Sequence, residues 1–257
     1  MPGTDARPRD DRGAPGGDLL RSLTPARVGL GRAGGSVPTG AHLAFRADHA
    51  RARDAVHHTF DGERIVVELE TAGRPSIALS SAATSRGEYI RRPDLGRTLS
   101  GPSAARLGLL GGAPCDLAIV LCDGLSPHAV ERHGRALAIA IVSHARLRDS
   151  SIGVIAVVTN GRVAIGDHIG AALGARMVVV LIGERPGLTV PESIGAYVTI
   201  DPKPGRSDAE RNCVSNIHER GLSVDGAARQ VVGVIVRAQQ AGVTGVELFD
   251  DDPIALP

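Results

Sequence analysis

Short apolar runs alternate with helix-like stretches through the second half of this chain. Leu117–Cys122, Ile152–Val158, Arg176–Ile182 and Ala196–Ile200 are nearly continuous in Val, Ile, Leu and Ala, as strands covered on both faces require. After the first run, Ser126 stands as a helix N-cap with Pro127 at the first helical position, predicting a helix to about Ala145. A second helix is expected over about Val163–Leu173, stopped by Gly174. The last begins at Ser223 and reaches about Ala241, before Val246–Phe249. Strands separated by helices predict an α/β fold: a doubly wound, mainly parallel sheet, Rossmann- or flavodoxin-like.

The first half has a different texture. Ala41–Phe60 carries Leu43, Ala47, Ala50, Ala55 and Val56 at helical spacing, and Asp61-Gly62 reads as its end. Ile77–Leu79 is a short apolar run, and Ala82–Ile90 reads as another helix, stopped before Pro93. The pattern changes at Leu109–Pro114, which places a boundary there. The expected organisation is a disordered tail over residues 1–22, a smaller, mainly helical domain over 23–112 and an α/β domain over 113–257. The tail follows from composition: Asp, Arg, Gly and Pro with almost nothing apolar before Leu19 cannot offset the entropy of ordering.

Composition narrows the function. Hydrophobic residues make up 42% and aromatics only 2%, so aliphatic side chains must build the core. A net charge of +1 leaves no electrostatic footprint for nucleic acid or an anionic membrane. No apolar run approaches the ~18 residues that span a bilayer, and no secretory signal is evident. Cys115, Cys122 and Cys213 form no C-x-x-C pair and no disulfide framework. These features fit a soluble protein of a reducing cytoplasm.

Three motifs draw attention because they follow strand-like runs: GRVAIGD (Gly161–Asp167), LIGERPG (Leu181–Gly187) and DAERNCVSNIH (Asp208–His218). In parallel α/β sheets ligands bind outside the carboxyl ends of the strands, so loops on that edge are the candidate site. Gly161–Gly166 has phosphate-loop spacing, but Asp167 and His168 follow where Lys and Ser/Thr would be needed. What remains is a strand-to-helix turn whose amides are expected to face the crevice. The G-x-G-x-x-G at Gly29–Gly34 neither follows a strand nor opens a helix, and reads as a structured glycine turn. Metal ligation has no sequence support: His128 and His133 are five apart, His57 and His58 diverge, and no H-E-x-x-H occurs. There is no G-x-S-x-G, so no hydrolase triad is indicated. Glu184, directly after a strand, suits acceptance of hydrogen bonds from a ligand, or an ion pair with Arg185 or Arg211. Cys213 suits a small buried filler, whereas a nucleophile would need a low thiol pKa and a base, neither of which the sequence establishes. The residues alone leave both alternatives open.

TPARVGLGRAG (Thr24–Gly34), FRADHARARDAV (Phe45–Val56), RRPDLGR (Arg91–Arg97), DGLS (Asp123–Ser126), GRVAIGDHIG, LIGERPGL, GAYVT and AERNCVSNIH together resemble the light chain of ethanolamine ammonia-lyase, collinearly from about Leu23 to Phe249. The resemblance implies a small subunit of an adenosylcobalamin-dependent lyase that converts ethanolamine to acetaldehyde and ammonia by a radical route. It implies a heavy-chain partner, a TIM barrel carrying the substrate site, in a hetero-oligomer of both chains. Position by position, the light chain's cofactor contacts fall on Val163, Glu184 and Cys213, with no catalytic residue and no metal ligand in this chain, which would be inactive alone. The sequence departs from the family pattern at His168, Thr159-Asn160 and Cys122. The resemblance also brings in location within a bacterial microcompartment, although residues 1–22 lack the apolar helical face of a targeting peptide. A free-standing nucleotide- or flavin-binding α/β protein is the alternative.

Overall fold

The computed structural model describes residues 17–24, 26–110 and 113–249. Its strands are β1 (Ser76–Ser80), β2 (Leu117–Cys122), β3 (Ile155–Thr159), β4 (Met177–Gly183), β5 (Ile194–Ile200) and β6 (Asn212–Ile217), joined in one sheet of order β1-β3-β2-β4-β5-β6. β1, β3, β2 and β4 run parallel; β5 is antiparallel to β4 and to β6. The α/β class is as expected, but the sheet is mixed, not mainly parallel throughout. The cause lies in the connections. Glu184–Ser193 joins β4 to β5 without a crossover helix, and a strand that turns straight back can only pair antiparallel.

Alternate residues of the central strands face two separate cores. Leu117, Ile119, Leu121, Val179 and Leu181 pack on one side with Ile65 and Leu69 of α3 (Gly62–Thr71), Leu137 and Ile141 of α7 (Arg135–Val142), and Val231 and Ile235 of α9 (Val224–Ala241). Ala118, Val120, Cys122, Val178 and Val180 pack on the other with Leu107 of α5 (Gly101–Gly108) and Ile165 and Ile169 of α8 (Ile165–Ala172). The period of two along a strand makes this division automatic. α9 covers β5 and β6 on the first face only. On the second face Tyr197 stays half-buried and Cys213 exposed.

Several predicted elements shift. Gly17–Leu23 form α1 and Thr39–His57 form α2, close to the expected Ala41–Phe60 helix. Asp61 does not end a helix; its carboxylate accepts from the Arg64 amide at 3.0 Å and starts α3, which the sequence reading lacked. Helix α4 (Arg86–Arg91) begins later than Ala82 because Ser85 is the cap. Ser100 likewise caps the unpredicted α5. Ser126 supplies no cap: its buried hydroxyl donates to the Pro191 carbonyl at 2.8 Å instead. The helix that follows is α6 (Pro127–Ala129), a π-helical turn Val130–Gly134, and then α7. Gly174 with φ 59° and the Ser223 cap stand where the sequence placed them.

The chain divides into two compact units: one holds the described residues up to Arg53 with Gly187–Thr189, the other Asp54–Pro186 and Val190 onward. The sequence reading placed its division near residue 112. β1 accounts for the difference, since it pairs in parallel along its whole length with β3, Ser76 opposite Ile155 through Ser80 opposite Thr159. The tail expected over residues 1–22 lies outside the described residues as far as residue 16.

Two glycines should respond oppositely to the same change. A Cβ on Gly166 would stand 2.4 Å from Val180 Cγ2, whereas one on Gly233, inside α9, meets nothing within 4 Å. Gly166→Ala is expected to destabilise the protein by about 1–3 kcal/mol through overpacking. Gly233→Ala should stabilise it by up to about 1 kcal/mol through helix propensity. Chemical denaturation of both variants checks the pair, and equal responses would contradict it.

Candidate functional site

The parallel strands deliver three loops to one edge: Asp123–Ser126 after β2, Asn160–Ala164 after β3 and Glu184–Ser193 after β4. Asp123, 1% exposed, ties the first two together. One carboxylate oxygen accepts from the Gly161 amide at 3.0 Å, and the other pairs with Arg86 at 3.1 Å. Arg86 also donates through Nε to the Val56 carbonyl at 2.7 Å. The Arg86 and Arg162 guanidiniums lie over the Tyr89 ring at 4.8 and 4.4 Å, and the Tyr89 hydroxyl donates to the Gly161 carbonyl. Burial pushes the Asp123 carboxyl up to about 6, against the pull of Arg86 and of backbone amides in both loops.

Most amides of the GRVAIGD turn are taken up within the protein, where the sequence leads one to expect them to face a crevice. Gly161 N–H is taken by Asp123, and Arg162 N–H by the Gly96 carbonyl at 2.7 Å. The amides of Ile165, Gly166 and Asp167 close on the carbonyls of Arg162, Val163 and Ala164 at 2.9, 3.0 and 3.2 Å. Its glycines answer to packing. A Cβ on Gly161 would stand 2.7 Å from Cys122 Sγ, as one on Gly166 would press on Val180. The five amides so engaged are not available to cradle a phosphate, as a nucleotide-binding turn would require of them. Val163 sits in the turn, half-buried against the second core.

Asp167 forms the second tie. Both its oxygens accept from Arg211 at 2.7 Å in a two-pronged pair, and Arg211 also donates to Thr199 at 3.1 Å and to the Arg206 carbonyl at 3.0 Å. The side chains are 1% and 2% exposed. Arg211 is therefore committed to Asp167, and among the described residues no ion pair involves Glu184, so the proposed Glu184 pairing with Arg185 or Arg211 is absent. Instead the Ser193 hydroxyl donates to Glu184 Oε2 at 2.5 Å, and the Glu184 amide donates to the Ser193 carbonyl at 2.9 Å. The other oxygen, Oε1, lies over Gly195, where an added Cβ would stand 3.0 Å from it and 3.1 Å from Tyr197 Cε2.

The third motif is not a loop. Asn212–Ile217 is edge strand β6, with Asn212, Val214 and Ile217 buried and Cys213 exposed. The β5–β6 register sets Cys213 opposite Tyr197, on the face that carries Gly195 and the Glu184 carboxylate. Desolvation against the sheet, aided by the Glu184 charge and opposed by the Tyr197 hydrogen bond, raises the Cys213 thiol above its ordinary range, so it is neutral at neutral pH. Val163, Glu184 and Cys213 thus lie toward the second face of the sheet, where among the described residues no helix packs over β5 and β6. Ser193, with Gly195 and Tyr197 of the GAYVT segment, completes that surface, none of the three being a predicted site residue. Their only signal was the GAYVT segment, where Gly and Tyr alternate on one face.

Fold and surface together define an α/β protein that offers an open sheet face bearing a carboxylate, a phenol and a neutral thiol. Among the described residues no helix is long and apolar enough to cross a membrane. The chain belongs to the ethanolamine ammonia-lyase light-chain family: residues 17–249 match the family described as "Ethanolamine ammonia-lyase light chain (EutC)". It is 56% identical over 234 residues to the ethanolamine ammonia-lyase small subunit of Rhodopseudomonas palustris, covering 90% of this chain and 89% of that protein. The small subunit of Bradyrhizobium diazoefficiens is 52% identical over 239 residues, covering 93% and 92%. That of Rhodococcus erythropolis is 46% identical over 233 residues, covering 90% and 88%.

The two ties have separate signatures. A carboxyl whose pKa rises on folding, from 3.8 to about 6 for Asp123, stabilises below the lower value and loses that stabilisation as pH rises through the higher. Two such units correspond to about 3 kcal/mol at most. From pH 4 to 6.5 the wild type should lose up to about that much relative to Asp123→Asn, and parallel unfolding profiles would refute it. Arg211→Met strands a buried carboxylate and should cost about 3–5 kcal/mol, most of it recovered in Arg211→Met/Asp167→Leu. Denaturant midpoints of both variants test this.

Proposed function

We propose that this chain is the small subunit of an adenosylcobalamin-dependent ethanolamine ammonia-lyase, closing the cobalamin site against a heavy chain built as a TIM barrel. Its family supports the subunit role; the open face supports the cofactor role. The observation that carries the cofactor reading is the Glu184 carboxylate, held by Ser193 through one oxygen and leaving the other over Gly195, beside Tyr197 and Cys213. Cobalamin is broad and rimmed with amide donors, so it asks for acceptors spread over an open surface more than for a deep pocket. The residues fit that demand. Glu184 Oε1 would accept from an amide of the cofactor, Cys213 would contact it as a neutral thiol, and Val163 would bound it with apolar surface. When bound, adenosylcobalamin supplies the radical chemistry; the chain's own residues bind, orient and exclude water. In this reading the protein works in the cytoplasm or inside a bacterial microcompartment, in a hetero-oligomer.

Two measurements test the proposal. The purified chain should turn over no ethanolamine, because on this face the Cys213 thiol is kept protonated and the Glu184 carboxylate is engaged by Ser193; turnover without a partner would refute the division of labour. In the complex reconstituted with its heavy chain, Glu184→Ala should weaken adenosylcobalamin binding about tenfold or more, as loss of a charged hydrogen-bond acceptor at the interface does, with the circular dichroism of this chain unchanged. Unaltered cofactor affinity in the Glu184→Ala complex would overturn the assignment of this face.

A further inference from the structure

Away from the open face, four side chains from three separate segments converge. His58 follows α2, His128 and Glu131 belong to the helix after β2, and Glu192 ends the β4–β5 loop. One ligand atom each from His58, His128 and Glu131 lies within 4.8 Å of the others. His58 Nε2 stands 3.0 Å from Glu131 Oε2, and His128 Nε2 stands 3.3 Å from Glu192 Oε1. The two imidazoles meet edge to face with centroids 5.3 Å apart. Donors around a tetrahedral zinc at about 2.0–2.2 Å are about 3.3 Å from one another, so two donor pairs already have the required spacing. The histidine side chains are 39% and 44% exposed, which leaves room for the small rotations that would close the set.

The supports are also in place. Glu131 Oε1 accepts from the Asp61 amide at 2.9 Å, fixing the carboxylate and leaving Oε2 for the cluster. The π-helical turn Val130–Gly134 begins between His128 and Glu131, and such turns concentrate at functional sites. Two arginines touch the rim: Arg64 at 3.4 Å from Glu131 Oε2 and Arg132 at 2.7 Å from Glu192 Oε2. Arg64 is half-exposed and has Asp61 and Glu68 as other partners, so it can yield Glu131 to a metal.

We infer that His58, His128, Glu131 and Glu192 form a binding site for a borderline divalent transition metal, zinc being the natural probe. Two neutral imidazoles and two carboxylates balance a dication, and this nitrogen–oxygen set excludes calcium and magnesium, which take oxygen ligands. Binding replaces the His58–Glu131 and His128–Glu192 contacts with bonds to the metal, each imidazole keeping one proton as its Nδ1–H tautomer so that the Nε2 lone pair is free to coordinate. The ion would clamp the end of α2, the helix after β2 and the residue next to Ser193, whose hydroxyl holds Glu184. The site was invisible in sequence because His58 and His128 meet only through the fold.

Titration of the full chain with zinc alone, by calorimetry, should give one site per chain. His128→Gln and Glu131→Gln should each weaken it about tenfold or more, as loss of a ligand requires. Arg64→Gln should leave the site intact or tighten it by removing the competitor for Glu131. Cobalt(II) should give tetrahedral-type visible bands without thiolate charge transfer, and those bands should vanish in His58→Gln/His128→Gln. Circular dichroism confirms that each variant is folded, and His58→Gln serves as an alternative where one is not. No stoichiometric zinc, or affinity unchanged in His128→Gln and His58→Gln, overturns the proposal, as does a thiolate band that assigns the metal to a cysteine.

Discussion

The buried Asp167–Arg211 pair joins the first turn of α8 to the residue just before β6. Taking both charges out of water costs several kcal/mol each, so the pair is a poor source of net stability. Its geometry serves position. Arg211 directs donors at Asp167, Thr199 and the Arg206 carbonyl, and this fixes where the last strand begins. An edge strand has one neighbour, and a slip of one residue exchanges its faces. Such a slip would bury Cys213 and expose Val214. Asn212 adds a second anchor through reciprocal hydrogen bonds with Gly245 at 3.0 and 2.8 Å. Between them, Arg211 and Asn212 set the phase that puts Cys213 beside Tyr197.

Asp123 plays the corresponding role at the other end of the edge. It stands at the end of β2 and holds the loop after β3, while Gly183 and Gly124 let the β4 end lie against the Asp123–Ser126 loop. A Cβ on Gly183 would stand 2.3 Å from the Ser126 carbonyl oxygen, and Leu125 N–H donates to the Gly183 carbonyl at 2.8 Å. The Ser126 hydroxyl then catches the far end of the β4–β5 loop at Pro191. The motifs that look like separate ligand loops in sequence are thus hydrogen-bonded to one another. Their glycines permit backbone contact between loops.

That distinction explains what the sequence disclosed and what it withheld. The apolar runs gave β2, β3, β4 and most of β5, since a strand buried on both faces has no other composition. The direction of β5 was hidden because it depends on the absence of a crossover helix, not on the strand's own residues. β6 looks like a loop in sequence because its own Asn212 and the Arg211 just before it are polar residues buried by partners distant in sequence, Gly245 and Asp167. Helices α3 and α5 were missed because Asp61-Gly62 and the Ser100–Pro102 segment resemble stops as much as starts. For Glu184 the sequence leaves ligand contact and an ion pair open, and the ion pair with Arg211 is ruled out only by a residue distant in sequence, Asp167, which engages both prongs of Arg211. Val163, Glu184 and Cys213 came from family resemblance; that they lie toward one sheet face is a property of the fold.

An open face has a consequence for chemistry. A pocket that binds a small ligand well encloses most of its surface, and enclosure excludes water and strengthens every polar contact within. The surface over β5 and β6 is closed beneath by the sheet and open above. On the function proposed here, reactive radicals must be kept from solvent, so a second surface is required above this face. The residues it does supply are suited to a fixed wall: a carboxylate already held by Ser193, a thiol kept neutral by its surroundings, and a strand whose register is locked by a buried ion pair. Such a wall loses little freedom when a ligand is pressed against it, and preorganisation of that kind conserves binding energy for the reacting centre. On that proposal, rigidity of this face and chemistry on a partner's side would be parts of one physical requirement.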